Sequence, residues 1–150
     1  MRMSAALLLC ASAGTAVAAP HEIPARDAGT YAPVGRCSVP AAPKLILAGD
    51  RVDVLEGARR RTLYVESFCA LNCDIAPPAD ARKEYSASLV DRPAGRGTIK
   101  DPFDDTALTI NAEGRPGVVS LANNAPGTYQ DRSRSALRHL YGKPFTRCSG

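Results

Sequence analysis

With 150 residues, 45% of them hydrophobic and 23% charged, and a formal charge of +4, the chain has room for one domain and hardly two. No stretch approaches the roughly 18 consecutive apolar residues of a spanning helix, and neither a G-X-Y nor a heptad repeat occurs, which excludes polytopic membrane proteins, collagen and long coiled coils. Leu, Ile, Val and Phe make up only about one-fifth of the chain, so something besides packing is expected to help hold the fold.

The chain begins Met1-Arg2-Met3, continues through an apolar stretch to Leu9, and then runs through small residues to Ala16-Val17-Ala18. This order reads as a secretory signal peptide cleaved after Ala18. A lipoprotein reading, with Cys10 acylated, is opposed by Leu9, because processing requires a small residue directly before the cysteine. Cleavage removes Cys10 and leaves Cys37, Cys69, Cys73 and Cys148, an even set that predicts two disulfides in an exported chain. Three pairings stay open: a local Cys69–Cys73 bridge with a Cys37–Cys148 clamp, or either crossed arrangement. The local bridge requires Leu71-Asn72 to turn. Residues 19–43 carry Pro20, Pro24, Pro33, Pro40 and Pro43 without any periodicity and read as an extended arm tied down at Cys37. Residues 44–150 then form a single disulfide-stapled, β-rich domain.

Within that domain Leu45-Ile46-Leu47 predicts a short strand, Ala48-Gly49-Asp50 a turn, and the alternation from Arg51 to Glu56 a half-buried strand. Gly57 turns the chain. From Thr62 to Leu71 the pattern predicts a strand with Leu63, Val65, Ser67, Cys69 and Leu71 on one face and Tyr64, Glu66, Phe68 and Ala70 on the other. Pro77-Pro78 marks a loop, Tyr85 to Asp91 alternates again, and Thr106 to Ala112 pairs with Val118 to Ala122 as a hairpin around Glu113-Gly114-Arg115-Pro116-Gly117. The last predicted element is a helix, opened by Thr128 with Asp131 three residues on, carrying Ala136, Leu137, Leu140 and Tyr141 on one face and stopped by Gly142 and Pro144. The expected fold class is therefore α+β, predominantly β: about six short antiparallel strands, one C-terminal helix packed on the sheet, and two disulfides. Leu63, Val65, Leu71, Leu89, Leu108, Ile110, Val118, Leu121, Leu137 and Leu140 are its expected core.

The supply of catalytic groups is poor. There are two histidines, His21 in the arm and His139 near the end of the expected helix, where the dipole favours a cation. Neither a nucleophile elbow, a His-Glu-x-x-His pair nor a phosphate-binding loop occurs, so no catalytic residue and no cofactor is assigned. The cluster from Asp101 to Asp105 lacks the ligand spacing of a calcium loop and reads as a solvated turn. Cys69 and Cys73 form a C-x-x-x-C that could hold copper or zinc or serve redox chemistry, with a structural disulfide as the plainer reading and no metal assigned. Arg59, Arg60 and Arg61 sit between two strands and are the expected contact with a protein partner, an acidic one being the natural complement. With eight aromatics in the chain and no binding motif, nucleic acid is not expected.

The run Thr109-Ile110-Asn111-Ala112-Glu113-Gly114-Arg115-Pro116, then Val118 to Leu121, the polar turn Asn123 to Gly127 and the Ala136-Leu137-Arg138 stretch with Tyr141 resembles the C-terminal domain of TonB-type energy transducers. The resemblance implies a periplasmic module that binds a partner by adding a strand at its sheet edge, here the Thr106 to Leu121 hairpin. The expectation is thus a small exported protein, periplasmic or secreted, that acts through protein contact and not by catalysis. The alternatives are a metal or redox handler built on Cys69 and Cys73, and an inhibitor of a secreted hydrolase or an immunity protein to a toxin.

Overall fold

A computed structural model describes residues 21–69, 76–91, 106–124 and 135–149, apart from the side chain of Cys69. The expected signal peptide, Leu71, Cys73, the Asp101 to Asp105 cluster and the Thr128 to Asp131 helix start lie outside the described residues. Eight strands run in chain order: β1 (Gly29–Ala32), β2 (Lys44–Ala48), β3 (Arg51–Glu56), β4 (Arg59–Cys69), β5 (Tyr85–Val90), β6 (Thr106–Ile110), β7 (Val118–Asn123) and β8 (Pro144–Arg147). Each pairs antiparallel with the next and β8 pairs with β1, so the sheet closes into a barrel.

This corrects the expected α+β arrangement. Among the described residues there is no α-helix; Arg138–Leu140 makes a single 3-10 turn instead. The apolar spacing that suggested a helix is satisfied by that turn, because Leu137 and Leu140, three apart, eclipse one another and both enter the core at 2% exposure. The sheet closes because two strands lie where none was expected. β1 falls inside the Pro-rich segment, and β8 follows Gly142, whose φ of 70° reverses the chain into Pro144. With β8 joined to β1, β6 and β7 each have a neighbour on both sides, and the hairpin expected to offer a free edge has none.

Eight strands enclose a space just wide enough to be filled by side chains. It is filled here by Tyr31, Leu45, Leu47, Val52, Val54, Leu63, Val65, Ala87, Leu89, Leu108, Ile110, Val119, Leu121 and Phe145, all buried. Every member of the expected core among the described residues is buried, and β1, β2, β3 and β8 contribute Tyr31, Leu45, Leu47, Val52, Val54 and Phe145 beyond it. The alternation along β4 breaks once. A bulge between Val65 and Ser67 shifts the register, so Phe68, expected on the face opposite Val65, is buried at 3% beside Tyr85.

Both ends of the barrel are stoppered. At the lower mouth, residues 21–28 fold across the opening: Ile23 is buried, its N–H donating to Gly49 O at 2.7 Å. Asp27, 7% exposed, accepts from Tyr85 Oη at 2.9 Å through its carboxylate, and Tyr31 Oη donates to its carbonyl at 2.7 Å. Burial, then the bond to Asp27, pushes the Tyr85 phenol well above the usual tyrosine range, so the hydroxyl stays a donor. Arg147 of β8 donates to the carbonyls of Arg26 and Ala28, both at 2.7 Å, and its guanidinium passes over Gly29, where a Cβ would stand 3.1 Å from Nε. Glycine at this position, with φ of 149°, lets the last strand clamp the N-terminal segment.

Cys37 and Cys148 are bridged, with Cα atoms 5.7 Å apart. Of the three pairings, the two crossed ones are thereby excluded. One disulfide is formed among the described residues; the second expected bridge falls on the Cys69 side chain and Cys73, which lie outside them, with Cys69 ending β4. The bridge ties the β1–β2 connection to the residue after β8, where Cys148 N–H also donates to Thr30 O at 2.8 Å. It therefore staples the line along which the barrel closes.

Candidate functional site

Arg59, Arg60 and Arg61, expected as a turn, are the first three residues of β4, facing Glu56, Leu55 and Val54 of β3. The turn is Gly57-Ala58, two residues long, with Gly57 at a φ of 60°. Because side chains alternate along a strand, the three arginines do not act as one patch. Arg59 and Arg61 are directed to the upper mouth, in the same rows as Glu56 and Val54, while Arg60 lies on the outer wall.

Arg60 serves a buried acid. Asp53 is 2% exposed, and its carboxylate accepts from Arg60 Nη2 at 2.6 Å and from Thr62 Oγ1 at 2.5 Å, with Arg51 Nε 4.0 Å away. The Arg60 hydrogen bond holds the Asp53 carboxyl below its ordinary value of 3.8, against burial, which pulls the other way, and with further help from Thr62 and Arg51. A lowered folded value means that the stabilisation is complete above the ordinary value and is lost as pH falls through the folded one. Asp53→Asn is accordingly expected to shrink the loss of stability on acidification below about pH 4. Urea unfolding of both proteins across that interval checks it; an unchanged acid limb would assign the loss to other carboxylates.

Arg61 is also committed. Its Nε and Nη2 donate to Asp91 at 2.8 to 3.1 Å in a forked pair at the end of β5. Arg59 differs: it is exposed, and among the described residues no acid pairs with it.

Over this mouth lies the segment from Ser135 to Lys143. Leu137 and Leu140 plug it from above, Gly142 N–H donates to Leu121 O at 2.8 Å, and the Tyr141 and Thr106 hydroxyls meet at 2.8 Å. Beside the plug is a cavity of about 630 Å³, lined by Val54, Glu56, Arg59, Arg60, Arg61, Ala136, Leu137 and His139. His139, expected at a helix end, instead meets Glu56 of β3, Nε2 to Oε1 at 2.5 Å. The cavity thus combines an apolar floor, the side chains of Arg59 and Arg61, part of Arg60 at its edge, and an acid–imidazole pair.

The structure brings Arg59, Arg60 and Arg61 to one cavity but divides their work. It separates them from the cysteines: Cys37 and Cys148 lie at the closure line, and Cys69 at the opposite end of β4. Glu56, His139 and Leu137 were not singled out as a site by the sequence. Glu56 and His139 are 83 residues apart, and no local pattern announces their meeting. Among the described residues, no three His, Cys, Asp or Glu side chains gather as a metal centre would require. No protein-family model matches the chain, and no curated protein or solved structure matches it either.

Proposed function

We propose that this chain is an exported, non-catalytic binding protein that works through contact between its upper mouth and a second protein. The single observation that carries the reading is the cavity at that mouth, in which Arg59, without an acid among the described residues, stands on β4 beside arginines already fixed by Asp53 and Asp91. A barrel packed solid with side chains supports contact at a mouth over ligand storage within. The Cys37–Cys148 bridge supports action in an oxidising compartment, in line with the leader-like N-terminus. An inhibitor of a secreted hydrolase or an immunity protein to a toxin would be a particular case of the same contact.

The test is capture of proteins from the exported fraction of the source cells on the immobilised mature chain, comparing wild type with Arg59→Glu. This single change is cleaner than replacing all three arginines, because losing Arg60 would leave the buried Asp53 without its closest cation. A partner retained by wild type should fall by about tenfold or more with Arg59→Glu, while the thermal midpoint stays unchanged. Equal capture by both proteins would remove the upper mouth as the contact surface.

A further inference from the structure

The hairpin between β3 and β4 places Glu56 directly opposite Arg59. Opposite charges at such positions ordinarily pair with one another. Here Glu56 turns instead to His139, leaving Arg59 exposed and without an acid among the described residues. A residue 83 positions away has thus taken the acid that hairpin geometry assigns to the arginine. The consequence is a guanidinium held at the rim of a cavity, with Val54, Ala136 and Leu137 as its apolar lining.

We infer that the cavity receives an acidic side chain of the partner, a Glu or Asp whose carboxylate pairs with Arg59 while an apolar neighbour rests on the exposed Ala136. A guanidinium meets a carboxylate as a planar fork, and the surrounding apolar wall strengthens that pair by excluding water. The Glu56–His139 bond is the positioning element: it keeps the chain's own carboxylate off Arg59. This inference rests on the upper mouth being the contact surface, and it adds the chemistry of what enters there.

The probe is a fluorescein-labelled peptide alternating Glu and Leu, with a counterpart carrying Gln at every Glu, read by fluorescence polarisation against the mature chain. The Glu peptide should bind about tenfold or more tightly than the Gln peptide, and Arg59→Glu should abolish the difference. Glu56→Gln should tighten the Glu peptide several-fold, because the cavity then holds no carboxylate to repel the incoming one. Glu22→Gln, which makes the same change in net charge at the other mouth, should leave binding unchanged. His139→Gln should weaken the Glu peptide, since Glu56 is released toward its opposite neighbour. Equal binding of the two peptides, or equal effects of Glu56→Gln and Glu22→Gln, would overturn the inference. Complete displacement of the peptide by millimolar inorganic phosphate would overturn it too, reducing the cavity to a simple anion site.

The two levels separate cleanly. Partner capture lost in Arg59→Glu with no preference between the peptides leaves the contact surface standing and removes the acidic side chain. Capture untouched by Arg59→Glu removes the contact surface and the partner's side chain with it, and an Arg59-dependent peptide preference would then describe the cavity alone.

Discussion

The double variant Cys37→Ser/Cys148→Ser is expected to lose about 5 kcal/mol of stability, a figure that follows from the chain-entropy cost of a long closed loop. The bridge joins residues 111 apart, so cutting it releases nearly the whole domain in the unfolded state. Few small domains have more than about 5 to 15 kcal/mol in total, so the variant should sit near the limit of folding. The native state is affected as well. The bridge lies beside the shortest ladders of the barrel, where β1 meets β8 through Tyr31 opposite Arg147 and Ala32 opposite Thr146. Thermal unfolding should show a midpoint lowered by on the order of 20 °C. A shift of only a few degrees would mean that the barrel closes without its staple.

Phe145→Ala is the second large effect, at about 3 to 5 kcal/mol, the usual cost of truncating a fully buried aromatic. Phe145 is 0% exposed and faces Val119 across the β7–β8 ladder. Its ring is the buried anchor of a four-residue strand that holds β7 on one side and β1 on the other. Phe145→Leu keeps most of the volume and should cost under about half as much. Urea unfolding of both variants would measure it; equal losses would show that the strand responds to any change at this site and not to the volume removed.

Much of the sheet was legible. The segments that became β3, β5 and most of β4 alternate as half-buried strands do, β2 stands out as a short apolar run and β6 and β7 as a hairpin, and Gly49, Gly57 and the Glu113 to Gly117 stretch punctuate them. What escaped was closure. Gly29-Thr30-Tyr31-Ala32 has one large apolar residue, and Pro144-Phe145-Thr146-Arg147 has one as well, so neither carries enough alternation to stand out from a loop. Yet these are the two strands that turn an open sheet into a barrel. The helix was misread because apolar residues three and four apart fit one 3-10 turn as well as the start of a helix.

At the site, the chemistry of Arg59, Arg60 and Arg61 was visible as charge, but not the difference among them. That difference comes from Asp53, Asp91 and Glu56, and in each case from where the acid points. Asp53 reaches Arg60 diagonally across a hairpin, Asp91 comes from another strand, and Glu56 is drawn away by His139. Only the first of these is a local pattern.

The closure line has a consequence for when the molecule can become itself. Its two sides are the first strand and the last, so a chain emerging from its N-terminus holds β1 to β7 before it holds the partner that closes them. Any sheet built from those seven strands alone has two unpaired edges, the form most prone to join a neighbouring chain. Completion depends on residues 144–147 and the cysteine that follows them. A chain that stops a few residues short is therefore a different object: the same sheet with its edges left exposed.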